Sequence, residues 1–184
     1  MDYTAYDTLN EAPALPLDSI PSDELSELRF KPMKYIVNQF LKPGLTVLAG
    51  APKIGKSWLV LQLCMSIAKG EPFWGLDTRQ GDVLYIALED SRQRLQERVL
   101  TITEEPSPNL YFSIECSVLG EELEREIGDF VARHPDTRVI VIDTFQKIRP
   151  PVMQMSYAND YSDVSRLKRI ADTLNISILL VHHT

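Results

Sequence analysis

The sequence is short of cysteine, of long apolar runs and of net positive charge, and each shortage narrows the choices. Only Cys64 and Cys116 are present. They sit in or beside apolar segments without metal-site spacing, which fits buried free thiols in a reducing compartment rather than a disulfide. Apolar runs such as Val139 to Ile142 and Ile176 to Val181 are far shorter than the roughly 20 residues that a membrane span requires. The opening stretch MDYTAYDTLNEAPALPLDS has neither the basic nor the apolar region of a secretory signal, so a cytoplasmic location with no membrane contact is expected. Lysine and arginine number 19 against 26 acidic residues, a net charge of −7. This excludes a surface coated with cations for nucleic acid and leaves room only for a local basic groove.

What is present is enough for one core: 184 residues, 44% of them hydrophobic. Residues 1–28 carry Pro13, Pro16 and Pro21 among scattered acids without sustained periodicity. They are expected to form a loosely ordered leader with a short helix near Asp23 to Leu28. From residue 29 onward, apolar runs alternate with amphipathic stretches: LTVLAG, KSWLVLQLCMSIAKG, DVLYIALED, SRQRLQERVLTIT, NLYFSIE, GEELEREIGDFVARH, RVIVIDT, DVSRLKRIADTLN and ISILLVHH. The strand-like runs are nearly continuous, as in a parallel sheet buried on both faces. A three-layer α/β/α core with a mostly parallel central sheet over residues 29–184 is therefore expected.

GAPKIGKS, Gly50 to Ser57, fits the phosphate-loop pattern G-x-x-x-x-G-K-[ST], with an apolar run before it and a helical pattern after it. Gly50 and Gly55 let the backbone wrap so that N–H groups point inward, and the helix N-terminus adds partial positive charge where phosphates sit. Lys56 is expected on the β- and γ-phosphates and the Ser57 hydroxyl on Mg²⁺. The expected nucleotide-binding residues are Gly50, Ala51, Pro52, Lys53, Ile54, Gly55, Lys56, Ser57 and Trp58. No NKxD-type guanine signature is evident, so ATP is the expected nucleotide. Asp143 closes the run RVIVID, at the strand end where ligands bind in open α/β sheets, and is expected to hold the metal with Ser57. Glu89 ends another such run and is the candidate base for the attacking water, while Asp90 is expected to cap the following helix. Arg92, Arg94 and Arg98 on that helix read as a solvated or subunit-facing surface.

Taken in order, GAPKIGKS, LYIALED, VIVIDT and ILLVHHT resemble the RecA-like P-loop ATPases, and within them the RepA-type replicative helicases of plasmids, phages and mobile elements, over about residues 29 to 184. The resemblance implies a catalytic role for Glu89, the Walker B role for Asp143, and a γ-phosphate sensor at His182 or His183. Adjacent strand residues face opposite ways, so only one can be the sensor and a shared metal is disfavoured; His182 is favoured. It also implies self-association into a ring in the full-length form, and further strands and an arginine finger after the sensor, so the ATPase core is expected to be incomplete at its C-terminal end. The connection FQKIRPPVMQMSYANDYSD then falls where such rings grip single-stranded DNA, with Lys147 and Arg149 as candidate contacts and Met153, Met155, Tyr157 and Tyr161 beside them. Arg166, Lys168 and Arg169 read as a solvated face of the next helix. The expected activity is Mg²⁺-dependent ATP hydrolysis coupled to translocation on single-stranded DNA or to helicase unwinding in DNA replication. Its alternatives are a nucleotide-dependent binding module with little turnover or a recombination-type ATPase.

Overall fold

The computed structural model describes residues 19–30, 32, 34–149 and 157–184, with side chains from residue 162 onward in the last stretch. The chain divides into two units, Met1–Pro32 and Met33–Thr184. The first contains helix α1, Ser22–Glu27, whose acidic first turn (Asp23, Glu24) suits the positive helix N-terminus and none of whose residues is buried.

The second unit holds every other element: β1 (Gly44–Gly50), α2 (Lys56–Lys69), β2 (Asp82–Ala87), α3 (Arg92–Ile102), β3 (Leu110–Ser113), α4 (Glu121–Arg133), β4 (Thr137–Asp143), α5 (Phe145–Ile148), α6 (Tyr157–Leu174) and β5 (Ser177–His183). The five strands form one parallel sheet in the order β1-β5-β4-β2-β3. Parallel neighbours need helical crossovers, which is why strand and helix alternate along the sequence.

Strand alternation sorts the apolar residues into two cores. Val83, Tyr85 and Ala87 of β2, Val139 and Val141 of β4, and Leu179 and Val181 of β5 pack with Leu61, Cys64 and Ile67 of α2 and Leu95 and Val99 of α3. Their neighbours Ile86, Ile140, Ile142, Ile178 and Leu180 join Leu123 and Ile127 of α4, Phe145 and Ile148 of α5, and Leu167 and Ala171 of α6. Each helix supplies a stripe: Leu123, Ile127 and Phe130 recur at the spacing of one α4 face, opposite its charged residues. Arg166 and Arg169 of α6 pair with Glu124 of α4; Arg166 is partly withdrawn from the solvated face expected for it, while Arg169 and Lys168 remain exposed there. Burial puts the Cys64 thiol well above its usual pKa range, and burial with Glu126 nearby raises Cys116 to about 11, in keeping with inert free thiols.

The reading of all strands as buried on both faces needs one correction. β4 and β5 are buried nearly throughout, but β1 and β3 lie at the two edges of the sheet, where Val47 is 50% exposed and Phe112 38%. The carboxyl ends of the strands bring Gly50, Asp143 and His183 to one rim: Gly50 pairs with His183, and Ala87 with Asp143, two residues before Glu89.

Candidate active site

The loop Ala51–Gly55 leaves β1 and turns directly into α2. Gly55 has φ +94, a left-handed conformation that favours glycine, and it occupies the N-cap of α2. Lys56, the first residue of the helix, is only 6% exposed. Its ammonium donates to the carbonyls of Gly50 (2.7 Å) and Ala51 (2.8 Å) and lies 3.1 Å from Nδ1 of His183. Because an ammonium can only donate, Nδ1 must accept there, which places the imidazole proton on Nε2. Among the described residues no carboxylate forms a salt bridge with Lys56. A cation kept from water by neutral acceptors alone is the electrostatic mark of a site shaped for an anion.

Two carboxylates stand across from it. Asp143 is 6% exposed, and its Oδ2 accepts from the Tyr85 hydroxyl at 2.7 Å. That hydroxyl also lies 3.5 Å from the Ser57 carbonyl, which sets the end of β4 beside the start of α2. Burial first, and then the Asp143 charge, push the Tyr85 phenol above its ordinary range, so it remains a donor. Glu89 is half-exposed; its Oε1 accepts from the Thr144 hydroxyl at 3.3 Å, and its Oε2 faces His183 Nε2 at 3.9 Å, beyond hydrogen-bond reach.

Which histidine faces this cluster follows from parity. Leu179 and Val181 point toward α2, so His183 does as well; Ile178 and Leu180 point away, and His182 goes with them. The favoured His182 instead meets Gln146 of α5, with Nδ1 2.9 Å from its amide nitrogen, and stands edge-on to Phe145.

Asp90 does not cap α3 as expected. Ser91 does, its hydroxyl accepting from the Arg94 N–H at 3.3 Å. The Asp90 carboxylate is committed elsewhere, to Arg94 at 3.5 Å and to Arg98 in a closer pair, and the Arg98 guanidinium lies 5.5 Å over the ring of Trp58. Arg98 is thus drawn in from the surface where it was expected, while Arg94 stays exposed. Pro52, Lys53, Gly55, Lys56, Ser57, Trp58, Glu89, Asp90, Arg94, Arg98, Asp143 and His183 line one cavity of about 510 Å³, within the size range of small-molecule sites. Ala51 and Ile54 of the loop, and Gly50 at the end of β1, do not line the cavity. A second cleft of about 530 Å³, lined by Leu84, Ile86 and Phe130 among others, lacks any such loop or buried cation.

The two candidate DNA contacts differ. Lys147 is exposed on α5. Arg149 is mostly buried, with its guanidinium donating to Asp163 at 3.4 Å and lying 5.8 Å over the Phe145 ring. Met153 and Met155 lie outside the described residues, as do the side chains of Tyr157 and Tyr161, whose backbone begins α6.

Sequence reasoning passed over Tyr85 and read Arg98 as surface rather than as a partner of Asp90. Tyr85 had a signal, since a tyrosine inside an otherwise aliphatic strand must place its hydroxyl on a partner. Arg98 had a weaker one, its spacing two helical turns beyond an acidic residue. Among the described residues no group of three or more His, Cys, Asp or Glu could hold a metal ion by itself. The Ser57 hydroxyl and the Asp143 carboxylate are hard oxygen donors, and this sparse set suits Mg²⁺, which keeps waters and takes phosphate oxygens from its substrate.

A phosphate loop at the end of one strand, with acidic residues at the neighbouring strand ends of a parallel sheet, defines a P-loop nucleotide-binding domain of RecA-like fold. The chain belongs to the AAA domain family (AAA_25), which it matches over residues 11–184. Two solved structures share its fold at 15% identity and a TM-score of 0.59, each aligned over 77% of this chain: an ATPase domain, and a DnaB-like replicative helicase whose structure was studied with its interactions with primase. The alignment spans 57% of the first and 39% of the second. No curated protein matches the sequence.

Proposed function

We propose that this domain binds ATP with Mg²⁺ in the 510 Å³ cavity and hydrolyses it, as the motor core of an oligomer that works on single-stranded DNA. The observation that carries the reading is Lys56: a buried ammonium with no anionic partner among the described residues, at the N-terminus of a helix that opens from a phosphate loop.

The backbone N–H groups of residues 50–57 cradle the phosphates, and Lys56 exchanges its carbonyl contacts for phosphate oxygens. Ser57 and Asp143 hold Mg²⁺, which supplies neutralisation of phosphate charge. Glu89 takes the proton of the attacking water. As oxygen bonds to the γ-phosphorus, the bond to the bridging oxygen breaks and ADP and phosphate leave. His183, rather than His182, is our γ-phosphate-reading residue, because it contacts Lys56 and faces Glu89. Lys147, exposed on α5, is the stronger of the two candidate DNA contacts; Arg149 is engaged by Asp163. Assembly into a ring and action in the cytoplasm belong to the same proposal, by likeness of fold to a DnaB-like replicative helicase.

The test is steady-state ATP hydrolysis with and without single-stranded DNA, beside Lys56→Ala. Turnover that rises with DNA and vanishes in Lys56→Ala supports the motor reading. Tight, Lys56-dependent ATP binding without turnover would replace it with a nucleotide-gated binding module.

A further inference from the structure

Tyr85 has no part in the chemistry above, yet it is the buried side chain nearest to it in consequence. It is 1% exposed in the middle of β2, with its ring 5.9 Å from that of Phe112. Phenylalanine would fill the same volume, so the added hydroxyl carries a desolvation cost that only a partner offsets. That partner is Asp143 Oδ2, at 2.7 Å. The hydroxyl has one proton, and the 3.5 Å separation from the Ser57 carbonyl is too long to compete for it. Tyr85 is the one side chain among the described residues that hydrogen-bonds the Asp143 carboxylate, and it does so through Oδ2. One carboxylate oxygen is therefore fixed from β2, in a side chain that lines the cavity.

We infer that Tyr85 is a positioning residue: its hydroxyl locks the Asp143 carboxylate in the orientation from which it and Ser57 receive the divalent cation of a nucleotide. This rests on the proposed role of Asp143 as the cation-holding carboxylate. A donor behind a metal-holding carboxylate fixes its rotation and tunes its basicity, and losing such a partner weakens metal affinity by roughly 10- to 100-fold.

Tyr85→Phe removes one oxygen and keeps the ring. Binding of a fluorescent ADP analogue, titrated with Mg²⁺ and repeated in EDTA, reads the cation without relying on turnover. In Tyr85→Phe the Mg²⁺ midpoint should rise roughly tenfold or more while affinity in EDTA stays within about twofold, and excess Mg²⁺ should restore tight binding. Asp143→Asn, measured in parallel, separates the two claims. A shifted midpoint in Asp143→Asn with none in Tyr85→Phe overturns the inference and leaves the site reading standing. An unshifted midpoint in both overturns the site reading and the inference with it. Equal weakening of Tyr85→Phe at every Mg²⁺ concentration means that the hydroxyl serves the fold alone, and also overturns the inference.

Discussion

Two buried charges flank the same cavity and are treated in opposite ways. Asp90, with 8% of its side chain exposed, is matched by Arg94 and Arg98, and the second arginine is held in turn over Trp58. Lys56 is about as buried and has only two carbonyls and an imidazole nitrogen. A charge whose partners are built into the fold is scaffold, and removing one partner strands the other. A charge held by neutral groups is poised for a partner from solution. The same physical price of burial thus yields a brace at one wall and, on the proposed function, a binding group at the other.

The sharpest way to break this contrast is to remove each charge and ask which property suffers. Lys56→Ala should lower turnover by roughly 10²- to 10³-fold, the scale for losing one donor to a developing phosphate charge, with the thermal midpoint unchanged or raised. Asp90→Asn should do the reverse. It should cost about 3 kcal/mol of stability in a denaturant titration by stranding Arg98, and change nucleotide affinity far less. If Asp90→Asn proves as stable as the parent, the brace is no brace. A finer cut separates neighbours on β5. His183→Ala should slow hydrolysis roughly tenfold through loss of its contact with Lys56, the scale of one hydrogen bond, whereas His182→Ala should stay within about twofold. Equal effects in single-turnover assays would mean that strand parity does not divide their roles.

That parity also marks where the sequence stops being readable. The phosphate loop, Asp143 and Glu89 could be placed from the sequence because each depends on local pattern: a glycine-lysine-serine turn, or a carboxylate just past an apolar run. The parallel sheet could be placed because near-continuous apolar runs have few other homes. The choice between His182 and His183 depends on which face of β5 receives α2, and that is settled by packing between segments more than a hundred residues apart. Asp90 was misplaced because Ser91, one residue on, caps equally well, and only the folded helix brings Arg94 and Arg98 back over it. Arg149 looked available because Asp163, its partner, comes from the far side of the connecting segment.

Lys56 carries a consequence for handling the protein as well as for its chemistry. If Lys56 is the phosphate-binding group proposed above, then with no fixed counter-ion beside it among the described residues the ammonium should take whichever small oxyanion the buffer supplies. Sulfate or inorganic phosphate that binds the folded form and not the unfolded one stabilises it by mass action, and competes with nucleotide for the same place. On the proposed function, the domain's melting temperature and its apparent affinity for ATP would then be partly properties of the buffer, and values taken in phosphate and in chloride would describe two different reference states.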